Sequence, residues 1–415
     1  MSLEWNSYTI GESCELITGF PFKSKYYLDE GLFKVVRGDN VKEGFIKWDD
    51  KKRCWNELND KLKKVILKEE DIVIGMDGSK LGKNRATISK KDLPALLAQR
   101  VACVRAKEGF DQNYIKYVIL SNYFKSYVDK VKTGTSIPHI SLGQISEFTF
   151  EAPDYKKQKT ISSILSTIDK KITVNQEINK NLEEQLSLLF NDWFVNCTPF
   201  KNEELIKSEW GVVPESWKDI EFGELIEITS GNRPDEKSED KTSEFNIPLF
   251  GASKIMGYTK EYSYNEDILI IGRVGTHGVV QRVNYPCFPS DNTFVIKSDY
   301  YGFVYQLLKR IDYDSLNTGS TQPLITQKSL KTVNAVLPDE KILSKFEMIS
   351  KTIFDKIQLN NDEISKLTKL RDTLLPKLMS GEIDVSKINC DLELKYKYMK
   401  YLFNQIHTPM SKSVV

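Results

Sequence analysis

Residues 133–141 read TGTSIPHIS, and residues 318–326 read TGSTQPLIT. Both phrases hold Thr-Gly, a Pro five residues after the Thr, and an Ile two residues later. A phrase repeated at a fixed distance marks a duplicated architecture, which constrains the fold more than any local propensity does. The rest of the chain follows the same duplication. Trp5 opens WNSYTIGESCELITG and Trp217 opens WKDIEFGELIEITSG, 212 positions on (217 − 5). EDIVIG at 70–75 meets EDILIIG at 266–272, an offset of 196 (266 − 70). At the quoted phrase the offset is 185 (318 − 133), and it stays there through EAPD (151–154) against VLPD (336–339) and KITVN (171–175) against KIQLN (356–360). An offset that shrinks and then holds means each unit has a length-variable front and a fixed-length rear.

The rear reads as a long helix. Ile161, Leu165, Ile168 and Ile172 step by four and three, and the register continues through Asn175 and Asn179 to Leu182, Leu186, Leu189 and Trp193. Neither Gly nor Pro interrupts 155–195. The second copy gives Ile342, Phe346, Ile349, Ile353, Asn360, Leu367, Leu370 and Leu374, with Pro376 expected to end it. Alternation of this kind over several heptads is the seam of a coiled coil. Asn175 and Asn360 stand at equivalent seam positions, where a buried amide lowers stability but fixes register, unless the middle of the helix is hydrated. Two such helices pairing antiparallel, at ~1.5 Å per residue, would make a rod on the order of 60 Å long.

The fronts carry short strand-like runs, FKVVRG, DIVIGM and RVACVRA, then DILIIGRVG and TFVIKS, bounded by Gly, Asp and Asn turns. One helix is expected after each set, over NYIKYVILSNYFKSYVDKV and over YGFVYQLLKRI, and the quoted loops should then lead into a strand. The 415 residues are enough for two or three such domains. No apolar stretch approaches the ~20 residues of a membrane span, and MSLEWNSYTIGE lacks a basic and apolar leader, so a cytoplasmic protein is expected. Cys14, Cys54, Cys103, Cys197, Cys287 and Cys390 form no CxxC pair and read as free thiols.

Net charge is +1, so any polyanion must be met by local clusters rather than by the whole surface. Such a cluster lies at 80–108, with Lys80, Lys83, Arg85, Lys90, Lys91, Arg100, Arg105 and Lys107 against Asp92 and Glu108. Lys and Arg neutralise phosphates, and Arg, Gln and Asn read base edges bidentately. Candidate DNA contacts in the first half are therefore Lys80, Lys83, Arg85, Gln99 and Arg100. In the second half they are Arg273, His277, Gln281, Arg282 and Asn292. Thr135, Ser136, Thr321 and Gln322 in the repeated loops suit phosphate or base contacts, and suit closing a turn on their own backbone equally well. Gly134 and Gly319 permit positive φ there, and Pro138 and Pro323 fix an extended exit.

Several catalytic look-alikes fail on spacing. GSKLGKN (78–84) has three residues between its glycines where a phosphate loop has four, and Asn84 stands where Ser or Thr would bind Mg²⁺. GRVGTHG (272–278) is not the dinucleotide fingerprint. A degenerate nuclease pattern, Pro153, Asp154, Asp169 and Lys171, would put Asp169 on the coiled coil. NYPCF (284–288) lacks the Asn/Asp-Pro-Pro-aromatic core of amino-methyltransferases. His139, His277 and His407 have no zinc spacing. The chain reads as a binder, with a coiled-coil scaffold lacking DNA specificity as the alternative.

At this point the sequence resembles a family, the specificity subunits of type I restriction–modification systems. LFNDWFVNCTPF (189–200) is similar to the turn after that family's first spacer helix. SEWGVVPESWK (208–218) is similar to the lead into its second recognition domain, and LLPKLMSGEIDV (374–385) to the end of its second helix. The resemblance implies an α+β fold: two mixed α/β target-recognition domains separated by two long antiparallel coiled-coil helices, a tandem pseudo-two-fold repeat. Its parts would be a first recognition domain (1–152), a spacer helix (153–197), a second recognition domain with its lead-in (198–338), a second helix (339–385) and an extension (386–415). That extension, with KYKYMKYLFNQIHTP, is longer than the family's usual end and is open to reading as an extra helix, a partner contact or an appendage. Helix and subunit contacts would run through Ile168, Ile172, Asn175, Leu182, Leu189 and Trp193, and through Ile353, Asn360, Leu367 and Leu374. The resemblance further implies a non-catalytic subunit that binds double-stranded DNA and recruits two modification (methyltransferase) subunits and restriction (translocase/endonuclease) subunits. S-adenosylmethionine, ATP and Mg²⁺ would then sit on those partners, and no cofactor or metal on this chain.

Overall fold

The computed structural model describes residues 5–48, 52–134, 136–319 and 323–386. The chain forms two compact units, Met1–Val174 with Glu363–Val415, and Asn175–Asp362. Both long helices are divided between them.

In the first unit Ile72–Gly75 is the centre of a four-stranded antiparallel sheet. Val101–Ala106 and Arg85–Thr87 flank it, and Cys14–Thr18 lies beyond Val101–Ala106. IVIG is buried at every position, which is why it reads as an unbroken apolar run rather than an alternation. A three-stranded sheet holds Phe33–Val36 between Cys54–Trp55 and the parallel strand Ala95–Leu97. The second unit repeats this plan. Ile268–Gly272 lies between Thr293–Lys297 and Gln281–Val283, with Glu227–Ser230 beyond Thr293–Lys297. Its three-stranded sheet holds Ile247–Phe250 between Ile255–Thr259 and the parallel Phe288–Pro289. The five strand-like runs read from the sequence are all strands.

The first long helix is Tyr155–Phe190, closed by a wider turn over Asn191–Val195, and the second is Glu340–Met379. Within the first unit Ile161, Ile164, Leu165, Ile168 and Ile172 share a core with Leu370, Leu374 and Leu378 and with the half-buried Leu367. Partner numbers fall as position rises, Arg371 to Asp169 and so on to Glu363 with Lys171 only two residues further along, so this pairing is antiparallel. In the second unit Asn179 meets Asn360 and Asn361, while Phe190 and Trp193 reach back to Phe346, again antiparallel. Leu186 and Phe190 are buried there, with Leu189, Trp193 and Ile353 half-buried beside them. Leu182 is half-buried as well. Burial of a side chain such as Leu374 contributes about 2 kcal/mol, so the seam is a large term in each unit. Asn175 and Asn360 are 1 % and 3 % exposed, and Asn360 donates to Asn179 at 2.7 Å. The mid-seam amides are therefore buried rather than hydrated.

Three expectations need correction. Pro376 does not end the second helix, which runs on to Met379. Proline removes one N–H and one bond but its own carbonyl still accepts, here from Ser380 N at 3.0 Å, and the stop comes at Gly381 with φ +76°. The stretch 113–131 is two helices, Gln112–Leu120 and Asn122–Val131. Ser121 breaks it by taking extended backbone and accepting Phe124 N on its hydroxyl, a side-chain cap that periodicity does not reveal. The repeated loops lead first into short capped helices, Leu142–Ser146 and Gln327–Lys331, and only then into strands. Ser141 with Gln144 and Thr326 with Ser329 form the capping boxes.

Cys14, Cys54, Cys103, Cys197 and Cys287 are free and buried. Cys390, His407 and the extension from 387 onward lie outside the described residues. Among the described residues no helix is long and apolar enough to cross a membrane.

Candidate nucleic-acid interface

Each unit brings three loops to one edge, and the duplication is visible there bond by bond. Gly19 N donates to Val101 O at 3.3 Å, and Gly231 N to Thr293 O at 3.1 Å. A Cβ at Gly19 would stand 1.9 Å from Ala98 O, and one at Gly231 2.2 Å from Ser290 O, so the crossing chains allow no side chain at either glycine. Met76 N donates to Arg100 O at 2.9 Å, and Arg273 N to Asn292 O at 3.0 Å. Gly78 N donates to Pro138 O and Gly275 N to Pro323 O, both at 3.0 Å. Ile140 N returns to Met76 O, and Ile325 N to Arg273 O, both at 2.9 Å.

These bonds explain the repeated phrase. Its prolines offer carbonyls to the neighbouring loop, where the lost N–H costs nothing, and its isoleucines, Ile140 and Ile325, are buried at 2 % and 0 % exposure. The edge of the first unit thus consists of 76–84, 98–100 and 133–139, of which 135 is outside the described residues. That of the second consists of 273–280, 290–292 and 318–324, of which 320–322 are outside the described residues.

Lys80, Lys83, Gln99, Arg100 and Ser136 are all exposed on the first edge, together with His139, whose Nε2 lies 2.9 Å from Thr133 Oγ1. Arg85 is not among them. It is 3 % exposed and its Nη1 donates to Ile119 O at 2.5 Å and Ser121 O at 2.9 Å, holding the carbonyl end of one helix beside the start of the next. Burial lowers its pKa. On the second edge Asn292 is exposed. His277 is half-buried with Nε2 3.4 Å from Arg273 O, and Arg273 places its guanidinium over Phe294. Gln281 donates to Gly251 O at 2.9 Å. Arg282 pairs with Glu183 at 2.6 Å and stacks 3.8 Å from the centre of Phe354. Gln281 and Arg282 therefore serve the fold through these side-chain bonds. Thr135, Thr321 and Gln322 lie outside the described residues.

Sequence reading missed Asp77. Its carboxylate takes Arg100 Nη1 at 2.8 Å, and no motif announces a pair 23 residues apart. It also missed how each recognition fold is fastened to the first long helix. In the first unit Asp169 accepts Tyr117 Oη at 2.6 Å and pairs with Lys116 at 3.2 Å and Arg371 at 3.3 Å. In the second, Glu183 accepts Tyr305 Oη at 2.9 Å beside Arg282. Both tyrosine hydroxyls are pushed up, first by burial and then by the facing carboxylate. Asp169 thus belongs to an ion-pair anchor. A cleft of about 1000 Å³ beside it is lined by residues such as Arg85, Tyr117, Asp169 and Arg371 and by none from the loop edge. A surface that enters a DNA groove projects and needs no cavity. Among the described residues no three His, Cys, Asp or Glu side chains are placed to hold a metal.

The family described as "Type I restriction modification DNA specificity domain" matches residues 2–184 and 214–369. The chain belongs to this family. It is 26% identical over 311 residues to the type I restriction enzyme MjaIX specificity subunit of Methanocaldococcus jannaschii, covering 68% of this chain and 71% of that one. To the MjaVIII specificity subunit of the same organism it is 24% identical over 427 residues, covering 93% and 94%. The crystal structure of a type I S subunit from M. genitalium shares the fold, with TM-score 0.57 at 17% identity over 91% of this chain and 96% of that one. As a type I specificity subunit, the chain serves DNA target recognition within a restriction–modification complex.

Proposed function

We propose that each unit reads one half of a split DNA target with its three-loop edge, and that the paired helices set the gap between the halves and hold two modification subunits. The bond-making chemistry belongs to the partners. Modification subunits bind S-adenosylmethionine, restriction subunits bind ATP and Mg²⁺, and this chain contributes recognition alone, in the cytoplasm.

The observation that carries this reading is the shared edge, in which the same backbone bonds recur in both units while the exposed side chains differ. A scaffold that is kept while its outward residues change suits two readers of different sequences. On the first edge Lys80 and Lys83 supply phosphate contacts, with Gln99, Arg100 and Ser136 beside the bases. On the second edge Asn292 takes that place.

The test is to co-purify the full chain with modification subunits from its genome and select from a random duplex pool at several salt concentrations. Enrichment of two short blocks with a fixed gap, with affinity falling steeply in salt, is the expected result. One undivided block would remove the two-reader proposal. Inserting four residues within 168–182 should lengthen the gap and leave both blocks unchanged, and an unchanged gap would remove the ruler.

A further inference from the structure

Strand pairing makes Arg100 and Asn292 the same position. Ala102 lies opposite Thr18 and Phe294 opposite Ser230, two residues past each, and both backbones accept the equivalent bond from Met76 N and Arg273 N. The bridge between loops fixes a second equivalence, because Asp77 pairs with His139 and Val274 with Leu324. Where one unit has Arg its neighbour is Asp, and where the other has Asn its neighbour is Val. The acid is present in the unit that has an arginine to hold.

Three features of the Arg100 site bear on what it does. Its backbone is left-handed, φ +65°, a conformation uncommon for a long side chain and concentrated at functional positions. Its side chain is 69% exposed, although ion-paired to Asp77, which is 23% exposed. The bond to Asp77 uses Nη1, and among the described residues neither Nε nor Nη2 has a partner. Those two nitrogens form one edge of the guanidinium and match the two acceptors, N7 and O6, of guanine in the major groove. A carboxylate at 2.8 Å makes the pair close to neutral, which suits it poorly to phosphate and leaves its donors directed. Asn292 is also neutral and exposed, with no side-chain hydrogen bond among the described residues, and a carboxamide matches N6 and N7 of adenine.

We infer that Arg100 and Asn292 are the corresponding base readers of the two half-sites, reading guanine in one half and adenine in the other, with Asp77 the positioning residue for Arg100. This rests on the proposed split-target reading.

The experiment is the random-pool selection with the full chain and its modification subunits, run on wild type, on Arg100→Lys and on the double variant Asp77→Val with Arg100→Asn. The wild-type motif should hold one G·C pair that the double variant changes to A·T, with every other position and the other half unchanged. Arg100→Lys keeps the charge and loses the fork. It should lower discrimination at that pair by about tenfold or more while the salt slope stays as in wild type. A motif unaltered by either variant overturns the inference and leaves the split-target reading standing. Equal weakening on all sequences by Arg100→Lys, or loss of one phosphate's worth of salt slope in the double variant, makes Arg100 a phosphate contact and overturns it too. A wild-type complex that enriches no two-part motif removes both proposals together.

Discussion

The two edges share a set of backbone hydrogen bonds and differ in charge. The first carries Lys80 and Lys83 exposed in the loop whose Asp77 pairs with Arg100 of the neighbouring loop. The second, built on RVGTHGVV, has no lysine in the corresponding loop, and its Arg273 lies over Phe294. Bonds from Gly19 and Gly231, Met76 and Arg273, and Gly78 and Gly275 agree pairwise to within a few tenths of an ångström. The scaffold thus depends on backbone groups and glycines, which leaves the outward side chains free to differ. A surface of this design changes what it reads without changing how it is held.

The largest effect should come from breaking that scaffold. Gly19→Val and Gly231→Val each push a side chain into a carbonyl 1.9 or 2.2 Å away from the first added carbon. Each should destabilise its own unit by about 3 kcal/mol. Hydrogen exchange should show lost protection in the strands of that unit, and full protection in either variant would show that the close crossing is dispensable.

Next come the anchors. Asp169→Ala strands Lys116 and Tyr117, and Glu183→Ala leaves Arg282 half-buried without its acid, so both should cost about 2 kcal/mol. Denaturant midpoints measure this, and a large loss from only one of them would show that the two units are fastened differently.

The lysines sharpen the electrostatic contrast. Lys80→Ala with Lys83→Ala should lower the slope of log affinity against log salt by about 2 with specificity retained. No double substitution in the loop 273–280 should do the same. A slope unchanged by the lysine pair would put the phosphate contacts elsewhere.

The smallest effect is confined to the second unit. Glu347 accepts Gly302 N at 2.9 Å and Phe303 N at 2.8 Å, where the first unit has Ser162 at the position 185 earlier. Burial raises the Glu347 pKa against the opposing pull of those two N–H groups. A carboxyl whose folded value is raised binds its proton more tightly in the native state. Its contribution is then full below the ordinary carboxylate range and is lost as pH rises through the raised value. The stability of wild type relative to Glu347→Gln should therefore grow as pH falls from 7 towards the carboxylate range. A difference that stays flat with pH would mean the carboxyl keeps its ordinary value.

Much of the fold was legible because it rests on pattern. IVIG and ILIIG read as strands, the four-three alternation read as paired helices, and the shrinking offset separated variable fronts from fixed rears. The site was legible only in outline. A count of basic residues gives Arg85 and Arg100 equal weight, yet one is buried against Ile119 and Ser121 carbonyls and the other projects from a left-handed turn. Which of them faces out depends on strand pairing, here Ile74 against Arg85, and on a helix break at Ser121 that a side chain imposes. Nothing local in the sequence singles out Asp77, because its partner Arg100 stands 23 positions away in the chain.

The most direct test of two separate readers is hydroxyl-radical footprinting of the full complex on its selected duplex, comparing wild type with the Lys80→Ala, Lys83→Ala, Arg100→Ala variant. Two protected patches with an open gap, of which the variant loses one and keeps the other, is the predicted result. One continuous patch, or both patches fading together, would contradict the account.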